Sequence, residues 1–438
     1  MVACSSDSLQ SSISNMPTPS LILVPARFKT GKLYTPLATT SGGVVLGASG
    51  DFNVTRNTTA TRVNANGLIE SVASGIPRLD YPIGGGCPAL LVEPSAQNSA
   101  LQSQDFTTTW SPTNVTVSAN VTGTTDPFGT NLADLLTATA SGSARVVQTF
   151  SFVSGTTYTY SCFAKAGNGF FGMTMENGGV ASGVAVIWNV STGAFSVSGS
   201  VGSGYTLQAH NIENYGNGWY RCSMRVLLGS TVTGNIRVNT SNGTMSSVIV
   251  QSDNGNSVNV FGAQVETGSA ATSYIRTTTG SVTRNADVIT LSGAVSGCIG
   301  QTEGVLYIEC ESNNGEDDVF NINRSAANAI TVYKNANNAY LGRIYHSSTS
   351  IIFTSASGVT GTVKIAIAYK SGDSTMYLNG SRVGTLNTTA ITFGAALNYL
   401  GVDKSSAFFS GIKPSRIRAV ALYNTRLTDA ELATLTTP

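Results

Sequence analysis

The sequence predicts an all-β protein built of tandem β-sandwiches. Three observations lead there. Alternation of apolar and polar residues recurs in short runs. Clusters of Gly, Ser, Thr and Asn separate those runs as turns do. Charged residues make up only 11 % of the 438-residue chain, against about a quarter in an average soluble protein. The composition lacks the Glu, Lys and Pro enrichment of disordered chains. Its length predicts about two or three domains.

The first 20 residues, polar and then punctuated by "NMPTPS", predict an extended arm. Residues 21–95 hold short strands and turns, such as "LILVPARF" and "GGVVLGASGDFNVTRNTTATRV", and form a small β-region. Over 96–280 the alternation is plain. Val115, Val117, Ala119 and Val121 share a face, as do Tyr158, Tyr160, Cys162 and Ala164. "VAVIWNVSTGAFSVSG" is a hairpin with Val184, Val186, Trp188 and Val190 on its inner face. "WYRCSMRV" sets Tyr220, Cys222, Met224 and Val226 against Trp219, Arg221, Ser223 and Arg225. Phe261, Ala263 and Val265 align in "VNVFGAQVE", and such strands fit a two-sheet sandwich of jelly-roll type. "TTTGSVTRNADV" then reads as a polar connection that carries no site.

Residues 281–438 predict a second sandwich, with strands at "GVLYIECE", "AITVYKN", "TVKIAIAYK", "TMYLNGSRVGTL" and "SRIRAVALYN". Asn379-Gly380 is a two-residue hairpin turn. Thr428 and Glu431 have capping-box spacing, which starts a terminal helix whose Leu432 and Leu435 dock on the preceding strand.

A net charge of +1, with Lys and Arg scattered, leaves no footprint for nucleic acid. No apolar run reaches about 18 residues, so no membrane insertion is expected. "MVACSSDSLQSS" has neither the basic region nor the apolar core of a signal peptide, so synthesis in a cytoplasm is expected. The six cysteines are widely spaced and form no CxxC, which suits buried thiols rather than a disulfide framework.

Catalysis lacks candidates, and no enzyme is expected. The two histidines, His210 and His346, sit in no recognisable nucleophile elbow. Gly167-Asn168-Gly169-Phe170-Phe171-Gly172 matches a dinucleotide fingerprint, but a strand follows where phosphate binding needs a helix, so a hairpin turn is expected. No two acids stand out as a glycosidase pair. Glu316, Asp317 and Asp318 in "NNGEDDVF" are the calcium candidates. A run of three acids supplies few of the about six to eight oxygens calcium takes, and a solvated loop is the competing reading.

"VTRNTTATRVNANGLIESVASGIPRLDYP" with "ALLVEPSAQN" resembles a recurrent module of bacteriophage virion proteins. "NGWYRCSMRV" followed by "FGAQVETGSAATSYIRTTTGSVTRNADV" resembles the phage head-spike and tail-fibre sandwich, which is similar to carbohydrate-binding modules. "TMYLNGSRVGTL" with "IKPSRIRAVALYNTRLTDAELATL" resembles the laminin-G or concanavalin A-like sandwich. The resemblance implies a homotrimeric head fibre or tail fibre on the phage virion surface. It would anchor to a capsid or tail protein through its N-terminal region and meet host cell-surface polysaccharide. A capsid decoration protein with no ligand is the alternative, and a polysaccharide depolymerase a more distant one. Sugar modules stack rings on exposed aromatics and bind hydroxyls through polar side chains. Trp110, Tyr215, Trp219 and Arg221 are the glycan-binding candidates on that basis, with packing the competing role for the tryptophans.

Overall fold

Among the described residues, two pairs of antiparallel sheets hold most of the strands. The computed structural model describes residues 16–23, 25, 28–33, 37–38, 44–45, 51–292, 297–312, 317–323, 328–347, 349–403 and 414–438. The expected arm lies mostly outside them. The fold class is the one expected, all-β with tandem sandwiches.

The first sandwich pairs two six-stranded sheets. One runs Ser111–Thr113, Ala144–Phe152, Val232–Ser241, Phe170–Glu176, Gly183–Asn189, Ala194–Val201. The other runs Val115–Ser118, Asp134–Ala138, Ser257–Thr267, Thr157–Ala166, Trp219–Leu228, Tyr205–Asn214. Alternation aims one face of every strand inward. Tyr158, Tyr160, Cys162 and Ala164, then Val184, Val186, Trp188 and Val190, then Cys222, Met224 and Val226 meet in one buried core. Cys162 and Cys222 face each other there as buried thiols without a disulfide.

Two expectations fail locally. Phe261 does not share a face with Ala263 and Val265. The register between Ser257–Thr267 and Thr157–Ala166 slips by one residue beside Gly262, whose φ is +64°. Such a bulge flips the residues before it relative to those after it. Phe261 therefore packs outside with Phe163, Trp219 and Tyr274. A side chain at Gly262 would meet the Phe163 ring at 2.9 Å. The glycine-rich run 167–172 is not a hairpin either. It carries the chain from Thr157–Ala166 in one sheet to Phe170–Glu176 in the other.

Residues 21–95, expected as a β-region of their own, are hydrogen-bonded into the sheets of the second sandwich. Ser415–Tyr423 pairs with Glu303–Ser312 along nearly its whole length on one edge, and on the other edge with Leu21–Leu23 and Ala89–Val92 in turn. In the facing sheet Phe52–Thr55 pairs with Val288–Ser292. Leu21, Leu23, Phe52, Leu90 and Val92 sit in the same core as Ile308, Ile330, Ile365 and Val420. Each such side chain contributes about 1.5 to 3 kcal/mol by leaving water. The Asn379-Gly380 turn has φ of 46° and 81°, which only a primed hairpin turn requires. The terminal helix Asp429–Thr436 carries its capping box, with Glu431 N–H donating to Thr428 Oγ1 at 3.3 Å and Thr428 N–H to Glu431 Oε2 at 2.7 Å. Leu432 and Leu435 bury against Tyr307 and Ala366.

Between the sandwiches lies a buried ion network. Arg78 donates to Glu93 Oε2 at 2.5 Å and to Asp287. Arg56 donates to Asp287 Oδ1 at 2.9 Å, and Arg284 lies 3.5 Å from Glu93. Ser273 adds its N–H at 2.8 Å and its hydroxyl at 2.6 Å to Glu93. All five charged side chains are at most 3 % exposed. The stretch 277–288, expected to be a connection without a site, thus supplies two of the five.

Burial alone would raise the Glu93 carboxyl, but Arg284 and Arg78 outweigh it and hold the group well below the ordinary carboxylate range. The folded state then binds fewer protons than the unfolded one. Its stabilisation is present above the unfolded pKa of about 4.3 and is lost as pH falls below it. Glu93→Gln, which leaves Arg78 and Arg284 short of a counter-charge, is expected to lower stability by about 3 to 5 kcal/mol. Urea unfolding at pH 6, 4 and 3 checks both points: the wild-type midpoint falls with pH, and more steeply than the variant's.

Candidate functional site

The outer face of the sheet ending in Tyr205–Asn214 is divided in two. Toward one end Phe163, Trp219, Phe261 and Tyr274 close over it with Ile69 and Ala133. Toward the other end it floors an open cleft of about 440 Å³. Alternation along Trp219–Leu228 sets Arg221, Ser223 and Arg225 on that floor, because Cys222 and Met224 point into the core. Antiparallel register brings Glu213 opposite Arg221 and Asn211 opposite Ser223. Ser269 and Thr272 line it from the loop after the bulged strand, and Thr61 and Arg62 from the N-terminal residues. A smaller cavity of about 230 Å³ adjoins it and shares Glu213, Tyr215 and Arg416.

Two of the four glycan candidates line this cleft and two do not. Tyr215 is half-buried at its edge, edge-to-face with Phe163 at 4.9 Å between ring centres. Burial pushes its phenol up. Arg221, on the strand face opposite Cys222 and Met224, lines the cleft but is only 3 % exposed. The face is covered by the loop, and Arg221 donates to Thr272 O at 2.6 Å and to Ser161 Oγ at 3.0 Å. Burial works against its charge; Tyr215, Glu266 and Glu213 outweigh it and hold the guanidinium above its ordinary value. Burial also raises Glu266, which accepts from Thr272 N–H at 3.0 Å.

Trp110 is corrected from stacking platform to core residue. It is 2 % exposed, its indole N–H donates to Leu101 O at 3.2 Å, and its ring lies 5.1 Å from Phe106. Trp219 is 1 % exposed and donates to Thr125 O at 2.7 Å, so it too presents no free ring face. Its position supports the aromatic cluster beside the cleft.

Of the calcium candidates, Glu316 lies outside the described residues. Asp317 and Asp318 begin the strand Asp317–Ile322, paired with Asn328–Lys334, rather than standing on a loop. Among the described residues no three His, Cys, Asp or Glu side chains gather to hold a metal ion. His210 is exposed and stacked on Phe195 at 4.1 Å, and burial of its inner edge lowers its imidazole. His346 is buried, its Nε2 lying 3.3 Å from Thr349 Oγ1. No helix among the described residues is long and apolar enough to cross a membrane.

No family model matches the sequence, and no curated protein matches it. Solved structures do align over parts of it. The CBM40 module of the Ruminococcus gnavus IT-sialidase, bound to α2,6-sialyllactose, is 14 % identical over 33 % of this chain and 87 % of that one, with a TM-score of 0.27. The receptor-binding domain of botulinum neurotoxin C/D mosaic serotype is 9 % identical over 34 % of this chain and 39 % of that one, at 0.28. A Trypanosoma rangeli sialidase is 10 % identical over 92 % of this chain and 81 % of that one, also at 0.28.

Trp110→Ala is expected to cost about 3 to 5 kcal/mol of stability by opening a cavity in the first sandwich. Chemical denaturation followed by the fluorescence of the remaining tryptophans measures it. A loss within about 0.5 kcal/mol would mark an exposed surface position instead.

Proposed function

We propose that this chain is a structural appendage of a phage particle, a head fibre or tail fibre, whose first sandwich attaches to host surface glycans. The observation that carries the binding reading is the polar cleft itself. Its 440 Å³ falls within the range of about 300 to 1,000 Å³ typical of ligand sites. Asn211, Ser223, Glu213 and Arg225 offer it donors and acceptors that match sugar hydroxyls, beside the Tyr215 ring. The virion assignment rests on the resemblance of "VTRNTTATRV", "PRLDYP" and "FGAQVETGSAATSYIRT" to phage modules. These stretches supply Arg56, Arg78, Ser273 and the bulge at Gly262, all of them structural here.

In this reading the protein is made in the host cytoplasm and carried on the virion surface. It anchors to a capsid or tail protein through its N-terminal region and binds without catalysis. Exposed edge strands, among them Thr349–Thr354 with Ile352 46 % exposed, suit packing against neighbouring copies in a homotrimer.

Screening the purified protein on a glycan array is expected to yield binders, and Ser223→Tyr, which fills the cleft, to weaken them at least about ten-fold with an unchanged unfolding midpoint. An array with no binder would replace this reading by a decoration protein without a ligand. Light scattering across a dilution series is expected to give a constant mass near three times 45.2 kDa. A monomer at every concentration contradicts the trimer.

A further inference from the structure

We propose that the cleft takes an acidic oligosaccharide, with a sugar carboxylate received by Arg225. The inference rests on the glycan-binding reading above and narrows it to carboxylate-bearing sugars. Buried charges in folded proteins are ordinarily paired, and the other guanidinium groups at the cleft obey this rule. Arg62 pairs with Glu70 at 2.7 Å, and Arg416 with Asp80 at 2.8 Å. Among the described residues Arg221 and Arg225 form no ion pair. Glu213 stands opposite Arg221 across the strand pair, and Glu266 opposite Thr159 on the next, yet neither reaches ion-pair contact with it.

Arg221 is 97 % buried by its 3 % exposure, satisfies two donors through Thr272 and Ser161, and leaves its buried Nε without an acceptor. Arg225 makes one long bond, to Ser269 O at 3.4 Å, and its buried Nε also lacks an acceptor. Both line the same cavity. A guanidinium without an ion pair is matched by a planar carboxylate, which accepts two parallel N–H bonds. The two arginines are four residues apart on one strand, about 13 Å between Cα atoms. Ser223 and Asn211 line the floor to meet sugar hydroxyls, while Arg221, covered by the Thr272 loop, adds its charge from beneath.

The test titrates the full chain by calorimetry with tetragalacturonate, a hyaluronan hexasaccharide and an α2,8-linked sialic acid tetramer. Cellotetraose, maltotetraose and fully methyl-esterified tetragalacturonate serve as neutral counterparts. The proposal expects at least one acidic probe to bind, its neutral counterparts at least about ten-fold more weakly, and Arg225→Gln to lose at least about ten-fold toward the acidic probe. Affinity also falls as salt is raised. Arg225→Lys, which keeps the charge, retains part of the binding and shows that any loss in Arg225→Gln is not misfolding. Neutral probes binding as well as acidic ones, or Arg225→Gln leaving acidic binding unchanged, overturns the carboxylate assignment while glycan binding stands. Failure of every probe here, together with an array free of binders, overturns both.

Discussion

The buried network of Arg56, Arg78, Arg284, Glu93 and Asp287 is the constraint on which the rest of the molecule depends. The five come from four stretches: the end of an N-terminal strand, the two strands before the first sandwich, and the segment leaving it, which supplies both Arg284 and Asp287. Two carboxylates shared among three guanidinium groups are stable only when all five are in place, since a lone buried charge is far costlier than the pair. The backbone is held as well, because Glu93 and Asp287 exchange bonds through Glu93 N–H to Asp287 Oδ2 and Asp287 N–H to Glu93 O, both at 2.9 Å. Entry to and exit from the first sandwich are therefore fastened at one point. Ser273 hangs from the same carboxylate, and it follows Thr272, the residue that covers Arg221. The shape of the cleft is thus tied to an electrostatic centre whose side chains are almost fully buried.

The sheet beneath the cleft uses one strand face for two purposes. The slip at Gly262 turns Phe261 outward, so an apolar cluster forms over one end. The polar residues of Trp219–Leu228 are left uncovered at the other. Had the strand kept perfect alternation, Phe261 would have entered the core and the cluster that borders Tyr215 would lack its centre. A single backbone irregularity divides a packed face from an open one.

Much of this was legible because alternation is a local signal. Trp188, Tyr160, Met224 and the capping box at Thr428 follow from spacing over a few residues, and the structure places them accordingly. What alternation does not reveal is whether an outward residue meets water or another element. Trp110, Trp219 and Arg221 read in sequence as glycan candidates with packing competing for both tryptophans; packing is the role the two rings have, and Arg221 is covered by the Thr272 loop. The network was hidden for the same reason, as its members lie up to 231 residues apart. One signal for it was present: Val54-Thr55-Arg56-Asn57 and Val282-Thr283-Arg284-Asn285 are the same tetrapeptide. Both copies end a short strand and send their arginine to one pair of acids. A duplicated arginine in a chain this poor in charge was the clue that composition alone diluted.

The second sandwich draws strands from both ends of the chain, and this governs the order of events during synthesis. Ser20 Oγ donates to Leu422 O across 402 residues, and Leu21–Leu23 has Ser415–Tyr423 as its neighbour. A ribosome releases the N-terminal strands several hundred residues before their partner exists. The first sandwich, whose pairings all fall between residues 111 and 267, can close while translation continues. The other must wait for the final strand. Such long-range closure is slow. Until Ser415–Tyr423 has been made, one edge each of Leu21–Leu23, Ala89–Val92 and Glu303–Ser312 lacks its partner, so the first of these strands waits on a segment nearly 400 residues further along.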